Sequence, residues 1–199
     1  MRRVRLRAAG DAGVTLVEVV VAMTIMSVMM AMFTTSMLLL FQSANKNESS
    51  MIAQSQIQVA FVRLEKEIRY SSGISDLPAV GDPYVEYLVA VNGVDTCVQL
   101  RLNTSSKQLQ RRTWVWNANP MAQTAWQPLA SAVSAPAGVA PFTFSAADPT
   151  YNFQRLRIRL VATSGAGRTT TSKETNIQFT AINTSTTTVS STTCTEGRP

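Results

Sequence analysis

Apolar residues recur along this chain in three different rhythms, and each rhythm predicts a different kind of element. From residue 14 to residue 41 nearly every position is apolar and Glu18 is the one charged residue. A helix crosses a bilayer with about 20 apolar residues, so this run predicts a single membrane-spanning helix. Residues 42–72 continue without Gly or Pro, and Ile57, Phe61, Leu64 and Ile68 recur at spacings of four, three and four. That spacing marks one face of an amphipathic helix, with Arg63, Glu65, Lys66, Glu67 and Arg69 on much of the rest. Together the two stretches predict one long helix, its first half in the membrane and its second half packed on a sheet.

Past Gly73 the rhythm shortens to two. Residues 73–83 are rich in Gly, Pro and Ser and read as a linker that no helix crosses. Residues 84–91, then Asn92-Gly93, then residues 94–102 form a hairpin signal, because Asn-Gly supplies the positive φ values of a type I′ turn. Such a turn pairs Val91 with Val94, Val89 with Thr96, Tyr87 with Val98 and Val85 with Leu100, all on the face expected to meet the helix. Cys97, Gln99 and Arg101 then lie on the opposite face, where a returning C-terminal tail can reach. Further strands are expected over 109–116, 139–145, 153–161 and 175–182, with the Ala-, Pro-, Asn- and Ser-rich stretch 117–138 as a surface excursion. The Thr/Ser-rich stretch 183–193 is expected to be poorly ordered unless Cys194 anchors it.

Glu18 is the anomaly of the apolar run. An ionised group near hydrocarbon costs a few kcal/mol and marks a functional position by default, so Glu18 requires a cationic partner. Ahead of the run stand Arg2, Arg3, Arg5 and Arg7, and then Gly13. A secretory signal places its cleavage site after the apolar region, whereas this Gly lies before it. The combination of basic leader, Gly13, unbroken apolar helix and Glu18 resembles the class III signal of type IV prepilins and pseudopilins.

That resemblance implies a set of expectations. A membrane prepilin peptidase would cut between Gly13 and Val14 and N-methylate Val14. Glu18 would meet the Val14 amino terminus of a neighbouring subunit, each charge lowering the other's cost in low dielectric, while Leu16, Val17 and Val20 supply apolar contacts of the fibre core. The implied fold is α+β, a pilin-like lollipop with a long N-terminal helix on an antiparallel β-sheet. Its parts would be a leader (1–13), a transmembrane and assembly helix (14–41), an amphipathic continuation (42–72), an extracytoplasmic β-sheet domain (73–182) and a Ser/Thr-rich tail (183–199). The segments Arg63–Arg69, Leu109-Gln110-Arg111 and Ile177–Asn183 are similar to minor pilins of the J/W type. Glu18 argues against the tip-most pseudopilin type, which typically lacks that acid. Two positions depart from the family pattern: Val14 stands where Phe or Met is usual, and Thr35 where major pilins commonly carry a helix-kinking Pro.

Composition narrows the function further. The formal charge of +6 includes four Arg and Asp11 in the leader, a net of +3, which leaves +3 for the rest. Four Arg before the apolar run place the N-terminus in the cytoplasm and the C-terminal domain outside, by the positive-inside tendency. The chain would be stored in the inner membrane and then join a fibre at the surface or in the periplasm. In an oxidising compartment Cys97 and Cys194 are more often a disulfide than a metal site, and the chain has no His. Such a bridge would contribute roughly 4–5 kcal/mol by the chain-entropy model; the alternative is two unpaired thiols. With no His, nucleophile elbow, phosphate-binding loop or calcium loop, neither an enzyme nor a cofactor is expected, and Asp76, Asp82, Asp95 and Asp148 read as turn residues. The rival to a structural role is a membrane-anchored binding or adhesion domain. Its sharpest form is DNA binding through Arg112, Trp114 and Trp116 with Arg155, Arg157 and Arg159, basic groups beside stacking surfaces. The plainer reading is a solvated strand face that resists edge pairing.

Overall fold

The computed structural model describes residues 13–76, 81–165 and 170–198. It divides into two compact units, the first ending at Ala44 and the second beginning at Asn45. The fold is α+β: the described residues form one long α-helix, α1 (Leu16–Arg69), nine strands, all paired antiparallel, and a short 3-10 turn at Thr195–Gly197.

In the second unit the apolar stripe meets the strands as its spacing requires. Ile57, Phe61, Leu64 and Ile68 are buried, and they share one core with Tyr87, Val98, Leu100 and Leu109 on one sheet and Leu156, Ile158, Leu160 and Phe179 on another. The helix ends at Arg69, three residues before the expected boundary. The Ser71 amide and hydroxyl both close on the Ile68 carbonyl, at 3.1 and 2.7 Å, which turns the chain out of the helix and lets the Ser72 amide bond the Leu88 carbonyl at 2.8 Å. Freed carbonyls at the helix end need partners. The Ile182 amide serves Arg69 and the Asn183 side-chain amide serves Tyr70, both at 2.9 Å.

The first sheet has the order β1 (Gly73–Ile74), β2 (Tyr84–Val91), β3 (Val94–Asn103), β4 (Gln108–Val115), β5 (Gln127–Ser131). The β2–β3 register is the one that Asn92-Gly93 dictates: Val91 opposite Val94, Tyr87 opposite Val98, Val85 opposite Leu100. Asn92 and Gly93 hold φ values of 51° and 78°. Val91 and Val94 are nevertheless exposed, because the tip of the hairpin overhangs the core. Two regions read as linker and excursion are partly strand. β1 lies within 73–83, and β5 with β6 (Val133–Ser134) lies within 117–138. Gln127-Pro128-Leu129-Ala130-Ser131 does not read as a strand because Pro cannot serve a central one; at the edge of the sheet it is tolerated.

The second sheet is built around β8 (Gln154–Ser164). β9 (Thr171–Ala181) pairs along its whole length, so β6 and β7 (Phe142–Ser145) share its other edge, at Val161–Ala162 and Arg155–Ile158 respectively. The one sheet expected from the sequence is thus two. Ala132, with φ 56°, carries the chain from β5 to β6, and Val133 and Thr163 lock the crossing through amide bonds to the Lys107 and Ala132 carbonyls at 2.9 and 2.8 Å.

The tail is ordered. Cys194 is bridged to Cys97, 97 positions away, and Thr184, Ser190 and Thr193 are buried. Gln154 organises the stretch that leads there. Its backbone amide donates to the Thr184 hydroxyl at 2.8 Å, its side-chain amide donates to the Ser190 hydroxyl at 2.9 Å, and its oxygen accepts the Ile74 amide at 2.9 Å.

Candidate functional site

The helix start is built by Thr15. Its hydroxyl accepts the Glu18 amide at 3.3 Å and its carbonyl accepts the Val19 amide at 3.2 Å. Thr-x-x-Glu is the spacing of a capping box, a local signal in the sequence that the reading of Glu18 as a membrane anomaly passed over. A carboxylate in the first turn also faces the positive end of the helix dipole. Among the described residues no ion pair engages Glu18. Val14 and Glu18 line one shallow depression of the helix surface together with Ala22 and Met26. The arginines of the leader lie outside the described residues.

Gly13 precedes the helix in non-helical backbone. A Cβ added there would meet nothing within 4 Å, and Gly13 is not among the residues of positive φ. Nothing among the described residues requires glycine at this position.

From Leu16 to Phe41 the helix is exposed and apolar on all sides, a surface that suits an apolar surrounding and not water. Four of its hydroxyls bond within the helix: Thr24, Ser27, Thr35 and Ser36 donate to the carbonyls of Val21, Thr24, Ala31 and Met32, each at 2.8 Å. Helix α1 runs without interruption through Thr35, the position of the commonly kinking Pro.

Two polar constellations hold the second unit together. On the inner face Glu67 accepts the Tyr87 hydroxyl at 2.7 Å, Arg111 Nε at 2.9 Å and Arg63 Nε at 3.2 Å. Burial, reinforced by the Glu67 charge, raises the Tyr87 phenol well above its ordinary pKa, so it remains a neutral donor. On the outer face of the first sheet Glu86 is fully buried; it accepts Gln99 Nε2 at 2.8 Å and Arg198 Nη2 at 2.7 Å. Burial raises the Glu86 pKa, with Arg198 opposing that shift. Trp114 is buried beside the disulfide; its indole donates to Glu196 at 3.1 Å, and Arg112 donates to the Gly197 carbonyl at 3.0 Å.

Several residues of the DNA-binding reading make contacts within the chain. Arg112 and Trp114 are engaged by the C-terminal tail, and Arg155, Arg157 and Arg159 lie on a strand of the other sheet. Arg155 stacks on Tyr151 at 3.8 Å, and Arg157 donates to Gln178 at 3.0 Å. Asp95 lies within β3 and not in a turn, whereas Asp82 accepts the amide and hydroxyl of Thr104 and Asp148 accepts the amides of Thr150 and Tyr151. Among the described residues no cluster of His, Cys, Asp and Glu suits a metal ion.

Comparison with curated proteins and with solved structures found no match. Residues 9–34 match the family model of the prokaryotic N-terminal methylation motif, a span that contains Gly13, Val14, Thr15 and Glu18. The N-terminal segment of this chain is therefore a class III prepilin signal, the motif that supports a place among type IV pilin and pseudopilin proteins.

Proposed function

We propose that the chain is a structural subunit, a minor pilin or pseudopilin. It is stored in the inner membrane with its C-terminal domain outside, cut by prepilin peptidase between Gly13 and Val14, N-methylated on Val14, and drawn into a type IV pilus or type II secretion-like fibre as part of an initiating or tip complex. The observation that carries this reading is Gly13. Among the described residues nothing approaches the place of a Gly13 side chain, which suits a residue that serves a partner, and a peptidase that needs slim, extended backbone at its cleavage site is such a partner. The described helix begins two residues after the cut, so cleavage leaves Val14 and the capping Thr15 ahead of it. A freed Val14 ammonium would be the cation that no described residue supplies to Glu18. Leu16, Val17 and Val20, all exposed, would bury against neighbouring helices.

The test is a pair of variants followed by intact mass and fibre recovery. Gly13→Ala is expected to retain the leader, and Glu18→Ala to be processed normally yet incorporated into fibres at about one tenth or less of the normal level, the loss of one charge pair of over 1.4 kcal/mol. A protein processed and incorporated normally in both variants would reduce the reading to a simple anchor.

A further inference from the structure

The Cys97–Cys194 bridge lies on the face of the first sheet turned away from the helix, yet neither cysteine is exposed. Strand register sets Leu88 on one side of Cys97 and Trp114 on the other, and Trp114 is itself buried against the bridge. The chain's own continuation supplies further cover. Cys194 takes a left-handed φ of 56° and leads into the turn Thr195–Gly197. Glu196 Oε1 returns to 3.6 Å from Cys97 Sγ and accepts the Trp114 indole at 3.1 Å. The Glu196 side chain is otherwise open to solvent, so its charge stands at the mouth of the enclosure.

The next two residues hold this cover down. Gly197 lies against the Trp114 ring, where an added Cβ would stand 2.3 Å away. Its carbonyl accepts Arg112 at 3.0 Å and the Gln123 side-chain amide at 2.7 Å. Arg198 donates to Glu86 at 2.7 Å and to Ser75 at 2.6 Å. No residue of 195–198 belongs to the main core. The entropy of ordering four residues is of the same size as the free energy of the few bonds that hold them, so this segment opens locally while the sheets stay folded.

Thiol–disulfide exchange requires contact with sulfur. An attacking thiolate bonds to one sulfur as the other leaves as a thiolate, and a second thiol then releases the mixed disulfide. Two electrons pass to the bridge, the reductant becomes a disulfide, and both cysteines end as thiols. Formation is the reverse, with a disulfide-bearing oxidant taking the two electrons. With both sulfurs buried, either direction needs the segment 195–198 lifted.

We propose that residues 195–198 form a strap that shields the Cys97–Cys194 bridge from thiols, Gly197 and Arg198 holding it shut and Glu196 placing a negative charge at the mouth. The bridge forms while the strap is open and is sealed when the strap closes. Thereafter the protein keeps its bridge in reducing surroundings that would open an unshielded one. The device does not depend on fibre assembly.

The experiment uses the full chain in detergent under native conditions, with an anionic thiol (2-mercaptoethanesulfonate) and a cationic one (cysteamine). Reduction is followed by alkylation and intact mass, and folding by circular dichroism. Gly197→Ala and Arg198→Gln, which loosen the strap at different points, are each expected to speed reduction by both thiols about tenfold or more with the fold retained, because the rate follows the open population. Glu196→Gln keeps an acceptor for Trp114 and removes the charge. It is expected to speed the anionic thiol roughly threefold or more relative to the cationic one. Rates in Gly197→Ala and Arg198→Gln equal to those of the unaltered chain would overturn the strap, and an equal change for both thiols in Glu196→Gln would overturn the charge at its mouth.

Discussion

Arg111 lies on the inner face of β4, where strand alternation would place an apolar side chain, and its guanidinium is met there by Glu67 from the helix. Both side chains are largely buried, at 10% and 18% exposure, so removing one leaves the other charged and dehydrated. Arg111→Ala is therefore expected to cost about 3–5 kcal/mol. Arg63→Ala, which removes a surface-lying partner of the same carboxylate, should cost under about 1 kcal/mol; chemical unfolding of the two variants tests the contrast. Glu86 gives a pH signature. Its folded pKa is raised by burial, so the fold binds that proton more tightly than the unfolded chain does. The stability linked to that proton is full below the ordinary carboxylate range and is lost as pH rises through the folded value. Glu86→Gln should flatten the stability curve across that window, measured as unfolding midpoint against pH. Neither carboxylate was legible as special in the sequence, because nothing in Arg63-Leu64-Glu65-Lys66-Glu67 or in a strand residue's neighbours states which charge will be dehydrated.

At the scale of elements, the helix and the β2–β3 hairpin were legible to within a few residues, since a period of 3.6 and an Asn-Gly turn are local signals. β1, β5 and β6 were not. Each is short or interrupted by Pro, and each exists because a neighbouring strand supplies its hydrogen bonds. The C-terminal tail belongs with them. Its Thr- and Ser-rich composition reads as poorly ordered unless Cys194 anchors it; the Cys97–Cys194 bridge is that anchor, and the contacts with Trp114 and Glu86 hold it down as well. Gly197 is the tight point: a Cβ there would stand 2.3 Å from the Trp114 ring. Gly197→Ala should lift the end of the tail off the sheet and cost about 1–3 kcal/mol, seen as a rise in amide exchange at 195–198 while β3 and β8 keep their protection. Unchanged exchange in the tail would contradict the packing described.

For the whole molecule, every described residue of the main core lies at or beyond Ile57, so the second unit contains what it needs to fold. A chain beginning at Asn45 is expected to unfold in one cooperative transition that includes both sheets, monitored by circular dichroism and amide exchange together. Separate transitions for the sheets would show that the shared core does not couple them. The sequence by itself determined the N-terminal signal, the long helix with its buried stripe and the register of the first hairpin, because these depend on residues near one another in the chain or on an unbroken run of composition. Tertiary structure alone decided that the β-domain has two sheets with one core, that Arg111 and Glu67 meet, and that the tail closes over Trp114 and Glu86. Those outcomes depend on groups far apart in sequence, whose burial and pairing exist only once the chain has brought them together.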